Sequence, residues 1–271
     1  MFSVVILTLN EERDLPACLA SVQACDDIVV LDSGSTDRTV EIALAAGARV
    51  ITNPFKDFAQ QRNFAQNHIQ FHHTWVFHLD ADEQMTPELW SECAEATNNK
   101  CTDIDGYWIA PKMIFEGKWI PHCTDYPAYQ ARLVKAPQFQ FIQVGHGQRE
   151  APEMKLRHLR GNYLHDLSSD GEDEWLAKHR RYAKLEAKQH KANRSRGPWW
   201  QLFTGDSLER RRALKQVSYD LPFRPSLRFI YQYVLRRGFL DGIAGYHYCL
   251  LLRRYEQFVD EASRGDKNDA N

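Results

Sequence analysis

An α/β fold is what the sequence predicts: a mostly parallel sheet with helices on both faces, then a helical, basic region. Three observations carry this. Strand-like and helix-like stretches alternate through residues 2–80 with short connections, the pattern of β-α-β units. The apolar runs Ile28–Leu31 and Trp75–Leu79 are short and unbroken, as in strands covered on both faces. Charge shifts along the chain: residues 1–154 hold 11 Lys and Arg against 21 Asp and Glu, whereas residues 155–271 hold 23 against 15. An acidic front suits a cation site, and a basic back suits an anionic surface or substrate.

Phe2 to Leu9 is the first expected strand, followed by Asn10, Glu11 and Glu12. Asp14 to Ser21 reads as a helix, with Leu15, Leu19 and Val22 on one face. The second strand runs straight into Asp32-Ser33-Gly34-Ser35-Thr36-Asp37. Thr36 or Asp37 caps the next helix, Thr39 to Ala46, and Gly47 ends it. Arg49 to Thr52 is a third strand. Phe58 to Phe71 is a helix carrying Gln61, Arg62 and Asn63 near its start. Trp75 to Leu79 is the fourth strand, and Met85-Thr86-Pro87 starts a helix.

Gly106 to Phe141 alternates apolar and polar residues around Trp108, Phe115, Trp119 and Tyr129. It reads as antiparallel strands whose aromatic rings can offer stacking faces or simply fill core. Glu174 to Asn193 is one long helix. The stretch after it mixes aromatic residues (Trp199, Trp200, Phe203) with basic ones (Arg210, Arg211, Arg212, Lys215), and Leu227 to Arg237 is amphipathic. Such a mixture suits a membrane interface with anionic lipid, or a helical cap with Arg on its wet side. The expected division is residues 1–165 as the catalytic domain and 166–271 as a helical cap.

Composition excludes several classes. The 271 residues are 43% hydrophobic and 26% charged with a net charge of −2, an ordinary globular balance that suggests no nucleic-acid partner. The six cysteines form no C-x-x-C and no zinc spacing with His, which reads as reduced thiols. No secretory signal pattern opens the chain, and no apolar run reaches about 18 residues. The expected location is cytoplasmic, with contact at the inner face of the membrane. No G-x-G-x-x-G follows a strand and no P-loop pattern occurs, which argues against a dinucleotide oxidoreductase and a P-loop ATPase.

The informative stretch is Trp75–Glu83, an apolar strand that ends in Asp80, Asp82 and Glu83. Carboxylates released at the C-terminal end of a strand lie where open α/β sheets bind ligands. Asp80 and Asp82, two apart, fall on one side of an extended chain and can share a divalent cation with a diphosphate. An acidic turn would look the same in isolation, so the other motifs matter.

Thr8-Leu9-Asn10-Glu11, Asp32 to Asp37, Gln61-Arg62-Asn63 and His78 to Glu83 together resemble the family 2 glycosyltransferases of GT-A fold, in order and spacing. Tyr129, Arg132-Leu133, Leu164-His165, Arg181-Tyr182-Ala183 with Glu186-Ala187, and Gly238 to Gly242 extend the likeness to the branch of lipopolysaccharide-core β-glycosyltransferases. The resemblance covers nearly the whole chain and is strongest in residues 2–90. It implies a nucleotide-sugar donor, UDP before other nucleotides, a divalent metal (Mn or Mg) and inversion at the anomeric carbon. It also implies that Thr8, Asn10, Glu11 and Asp32 frame the nucleoside. Asp82, with Asp80 beside it, would hold the metal, and Arg62 is a second cation for the phosphates.

The general base is less defined. Val144 to Glu150 is longer here than the Val-His-Glu of the related branch, so Glu150 or His146 can fill the role, with Asp125 third. His165 reads as an ordinary hydrogen-bonded histidine. The expected activity is transfer of a sugar to a surface glycan or lipid-linked acceptor such as lipopolysaccharide core. A non-catalytic nucleotide-sugar-binding scaffold and a sugar nucleotidyltransferase are the alternatives. The latter would want a glycine-rich basic loop that Leu9 to Arg13 does not supply.

Overall fold

The computed structural model describes residues 1–98, 103–144, 147–169, 171–193 and 223–268. The chain forms two compact units, one of Met1–Ile114 with Tyr126–Ser169, the other of Phe115–Asp125 with Asp170–Asn271. Residues 115–125 therefore group with the later helices.

The first unit is the α/β sheet that the alternation predicts. Strands β1 (Ser3–Thr8), β2 (Ile28–Asp32), β3 (Arg49–Thr52) and β4 (Trp75–Asp80) alternate with helices α1 (Leu15–Ser21), α2 (Thr39–Ala45) and α3 (Phe58–His68). After β4 come β5 (Glu83–Met85), α4 (Pro87–Asn98), β6 (Gly106–Phe115), β7 (Lys118–Trp119), β8 (Gln130–Lys135), β9 (Phe141–Val144), β10 (Gly147–Glu150) and β11 (Leu156–Asp166). The main sheet runs β3-β2-β1-β4-β8-β6-β11-β5. β1, β2, β3 and β4 are mutually parallel, as are β6 and β11; β8 is antiparallel to both its neighbours, and β5 is antiparallel to β11.

The burial of β1 explains its unbroken apolar sequence. Val4 and Ile6 pack with Leu15, Leu19 and Leu89, while Val5 and Leu7 face the other way onto Ala65 and Ile69. Alternate side chains on a strand point to opposite faces, so a strand covered on both needs apolar residues throughout. β1 has β2 on one side and β4 on the other, so connections leave it in both directions. Such a switch point opens a crevice at the C-terminal strand ends.

Three local features differ from expectation. α3 stops at His68 because Ile69 turns extended, with φ −97° and ψ 126°. β4 runs on to Asp80, so the first aspartate is the last residue of the strand. β5 was not foreseen: Glu83–Met85 folds back to pair with β11, which puts Glu83 beside His165 in register.

In the second unit α5 (Gly171–Asn193) packs on a long C-terminal helix, here α7 (Gly242–Asn268), through Ala183, Phe258 and Val259. The expected amphipathic helix over Leu227–Arg237 is α6 (Arg224–Ile230) followed by a π turn, Tyr231–Leu235. Arg237 at φ 62° breaks it, and a 3₁₀ turn, Gly238–Asp241, leads into α7. The aromatic and basic stretch from Trp199 to Lys215 lies outside the described residues.

Candidate functional site

Three strand ends meet at the switch point. Thr8 is in register with Asp32, and Leu7 with Asp80, so β1, β2 and β4 end together, with Thr8 and Asp32 on one face of the sheet and Asp80 on the face that meets α3. The loops that follow β1 and β2 are tied into one platform. Asn10, in the left-handed region at φ 58°, accepts at Oδ1 from the Thr36 amide at 2.8 Å, and its own amide donates to Ser35 Oγ. Asn is among the few residues that tolerate this conformation. The Glu11 amide donates to Thr39 Oγ1, and Glu12 exchanges hydrogen bonds with the end of the loop after β2 through Asp37 and the Arg38 amide.

Asp32 organises this platform. It is buried, and its carboxylate accepts from the Gly34 and Ser35 amides and from the Thr8 and Ser35 hydroxyls. These bonds use its oxygens within the loop.

One turn of α3 reaches four different strand ends. Gln61 bonds Asn53 and Ser33 beyond β3 and β2; Asn63 brackets the backbone of Phe141 in β9. Arg62, between them, is fully buried and donates from Nη2 to Asp80 Oδ1 at 2.7 Å. Among the described residues its buried Nε and Nη1 have no hydrogen-bond partner. Asp57 caps this helix by accepting from the Gln60 amide, which fixes where the turn begins.

Arg132 in β8 completes the cluster. Also buried, it donates to Asp80 Oδ2 at 3.2 Å, Glu83 Oε1 at 2.6 Å, the His78 carbonyl and the Tyr163 hydroxyl. Burial pushes the Asp80 carboxyl up, but the charges of Arg62 and Arg132 outweigh it and hold Asp80 well below the usual carboxylate range. Burial pushes Glu83 up to about 7, with Arg132 pulling against it. Buried charges persist only when paired and hydrogen-bonded, and two guanidiniums here serve two carboxylates.

Asp82 joins that network through His165, whose Nδ1 lies 3.7 Å from Glu83 Oε1. Asp82 sits in the two-residue turn after β4, partly exposed, with His165 Nε2 at 3.2 Å from its Oδ2. Burial lowers the His165 pKa, but the Asp82 hydrogen bond and the charges of Asp82, Glu83 and Asp80 raise it to about 9. His165 is thus a member of the site, not an ordinary histidine. Sequence reasoning also left Arg132 without a role. The signal for both was present: each lies in a short motif, but only the β8 and β11 pairings bring them to Asp80 and Asp82.

The candidate bases are less closely joined. Glu150 ends β10, half-buried, opposite Phe141 in the β9–β10 hairpin. Phe141 in turn packs edge-on to His78. No hydrogen bond or ion pair among the described residues links Glu150 to Asp80, Asp82 or Glu83. His146 lies outside the described residues. Asp125, in the second unit, is 83% exposed beside Arg236. Among the described residues no group of three or more His, Cys, Asp or Glu is arranged to hold a metal ion.

Residues 3–147, more than half of the chain, match the description glycosyl transferase family 2. The chain belongs to this family. The family 2 match takes in the loops after β1 and β2, α3 and the acidic turn, and stops before Glu150 and His165. The lipopolysaccharide core biosynthesis glycosyltransferase LpsC of Rhizobium meliloti (strain 1021) is 28% identical over 217 residues, covering 74% of this chain and 75% of LpsC. An uncharacterized glycosyltransferase of Rickettsia typhi is 38% identical over 91 residues. That match covers 33% of this chain and spans 30% of the relative's own length. Among solved structures, S. aureus TarS 1–349 aligns over 93% of this chain and 91% of its own, at 16% identity and a TM-score of 0.45.

Proposed function

We propose that this family 2 chain is an inverting glycosyltransferase. It would move a sugar from a nucleotide sugar, most simply a UDP-sugar, to a hydroxyl of a surface glycan or lipid-linked acceptor such as lipopolysaccharide core. The observation that carries the reading is the meeting of the β1, β2 and β4 ends, with Arg62 on Asp80 and His165 on Asp82. The likeness to LpsC over most of both chains supports the acceptor class. Such an acceptor sits at a membrane, so peripheral membrane contact belongs to the reading.

A divalent cation, Mn²⁺ or Mg²⁺, is part of it, and the residues fit one unequally. Asp80 spends both oxygens on guanidiniums. Asp82, partly exposed, can offer carboxylate oxygen to such an ion. A cation of this kind takes only one or two protein carboxylates when substrate phosphates supply the rest. When bound, it would act as a Lewis acid on the leaving diphosphate.

The chain's own residues do the remainder. Arg62 offers two unpartnered buried N–H groups near Asp80, and charge-assisted donation to phosphate would satisfy them. The loop held by Asp32 and Asn10 would receive the nucleoside. The acceptor oxygen bonds to the anomeric carbon as the bond to the diphosphate oxygen breaks on the opposite face. The hydroxyl proton passes to Glu150, with His146 and Asp125 as the other candidates.

Release of UDP from a UDP-sugar, with and without Mn²⁺, tests the reading in wild type and Asp82→Ala. The expected result is metal-dependent release, reduced on the order of 10²-fold or more in the variant with its circular dichroism unchanged. Normal turnover by Asp82→Ala in excess chelator would overturn it.

A further inference from the structure

We infer that the surface built by the π turn, the 3₁₀ turn and the start of α7 is a contact for the interface of an anionic phospholipid bilayer. The inference rests on the membrane side of the function proposed above and not on its donor chemistry.

Large apolar side chains stand out of this surface: Leu235 is 71% exposed and Ile243 70%, with Leu240, Val234, Phe239 and Tyr231 also exposed. Monomeric proteins rarely leave such residues contiguous and in water unless something covers them. The backbone beneath them is locked, so the exposure is not slack. Asp241, buried at the end of the 3₁₀ turn, accepts from the His122 and Cys123 amides and pairs with His122 Nδ1 at 2.6 Å. A Cβ on Gly245 would meet the Gly238 carbonyl oxygen at 2.5 Å, so the turn is drawn as close to α7 as glycine allows. Tyr233 packs against Phe229, Tyr246 and Phe239, joining the π turn to both of its neighbours.

Charge selects the occupant. Residues 223–254 contain six Arg and one acidic residue, Asp241, which is buried. Arg224 is spent on Glu256 inside the fold, Arg236 faces Asp125 at 3.9 Å and Arg254 donates to Gln257, whereas Arg237 and Arg253 are exposed. Two copies meeting through this face would set guanidinium against guanidinium. An anionic lipid surface instead accepts the cations while its acyl boundary accepts the apolar side chains. Tyrosines suit that boundary, with an apolar body and a polar tip. No described helix is long and apolar enough to cross a membrane, so the contact lies along the surface.

The test is sedimentation of the full chain with phosphatidylglycerol or phosphatidylcholine vesicles, comparing wild type, Leu235→Glu with Ile243→Glu, and Leu235→Ser with Ile243→Ser. Wild type should pellet with phosphatidylglycerol, less with phosphatidylcholine, and less as salt rises. The Glu pair should partition about tenfold less or weaker. The Ser pair should fall between them, and it carries the test if the Glu pair does not fold by circular dichroism. Wild type left in the supernatant with phosphatidylglycerol, or equal partition by all three, overturns the inference. So does a lipid-free dimer that the Ser pair dissociates. UDP release measured on the same variants should be unchanged, which separates this failure from failure of the transfer reading.

Discussion

The two units break the inside-out rule in opposite directions. The first buries charge: Arg62, Arg132, Asp80 and Glu83 lie together at the strand ends. The second exposes apolar surface: Leu235 and Ile243 face solvent from a backbone that buried bonds hold still. Either arrangement costs stability relative to an ordinary core or an ordinary surface. The comparison teaches where to look. Buried charges with matched partners form a preorganised polar site, and locked apolar side chains without cover form a contact surface. Each half of that contrast can be broken by substitution.

The largest effect is expected at Arg132. Its guanidinium serves Asp80, Glu83, Tyr163 and the His78 carbonyl at once. Arg132→Ala leaves the buried Glu83 and the half-buried Asp80 with one fewer cation, and a buried pair that loses one member costs about 3–5 kcal/mol. Urea unfolding should show it as a lower midpoint. Arg132→Lys keeps the charge but lacks the fork that reaches several acceptors, so it should recover only part of the loss. If Arg132→Ala unfolds like wild type, the buried charges are not held by their pairing and the contrast fails.

How much of this was legible follows from reach along the chain. β1, β2 and β4 are read from apolar runs that end in polar residues, because a strand covered on both faces has no other sequence. Asp80 and Asp82 were visible for the same reason. Arg132 and His165 were not, since each meets the acidic turn only through strand pairing, β8 against β4 and β11 against β5. β5 itself is three residues long, too short for any periodicity to show. The role of Asp32 was blurred differently. Its position was clear, but whether its oxygens face a ligand or their own loop depends on a turn geometry that sequence does not specify. The π turn at Tyr231–Leu235 was hidden because apolar spacing alone does not separate it from a regular helix.

A second buried carboxylate sharpens the comparison, because it lies before β2, at the other end of the strands. Asp27 accepts from Ser3 Oγ, the His72 amide and Arg49. Burial pushes its carboxyl up, but these three donors outweigh burial and hold it below its ordinary value. A depressed carboxylate contributes stability that is present above the unfolded value of about 3.9 and lost as pH falls through the folded one. Asp27→Asn should therefore cost about 1–2 kcal/mol at neutral pH and flatten the acid limb of the stability curve below about pH 4. UDP release should be unchanged, in contrast to Asp82→Ala. A parallel acid limb in wild type and variant would remove Asp27 from this role.

The smallest effect belongs to the second unit. Leu235 is 71% exposed, so Leu235→Ser removes little that folding has buried, and the expected change is within about 0.5 kcal/mol. Leu79→Ala, at a fully buried position in β4, should cost about 2–5 kcal/mol on the same urea scale. The pair of measurements asks whether the apolar face serves the fold. A loss of 2 kcal/mol or more at Leu235, of the order found for buried leucines, would mean that this side chain is covered in the free protein. The face would then be ordinary core, with nothing left over for a bilayer. A near-zero change leaves its apolar character unexplained by stability, and only an external surface then accounts for it.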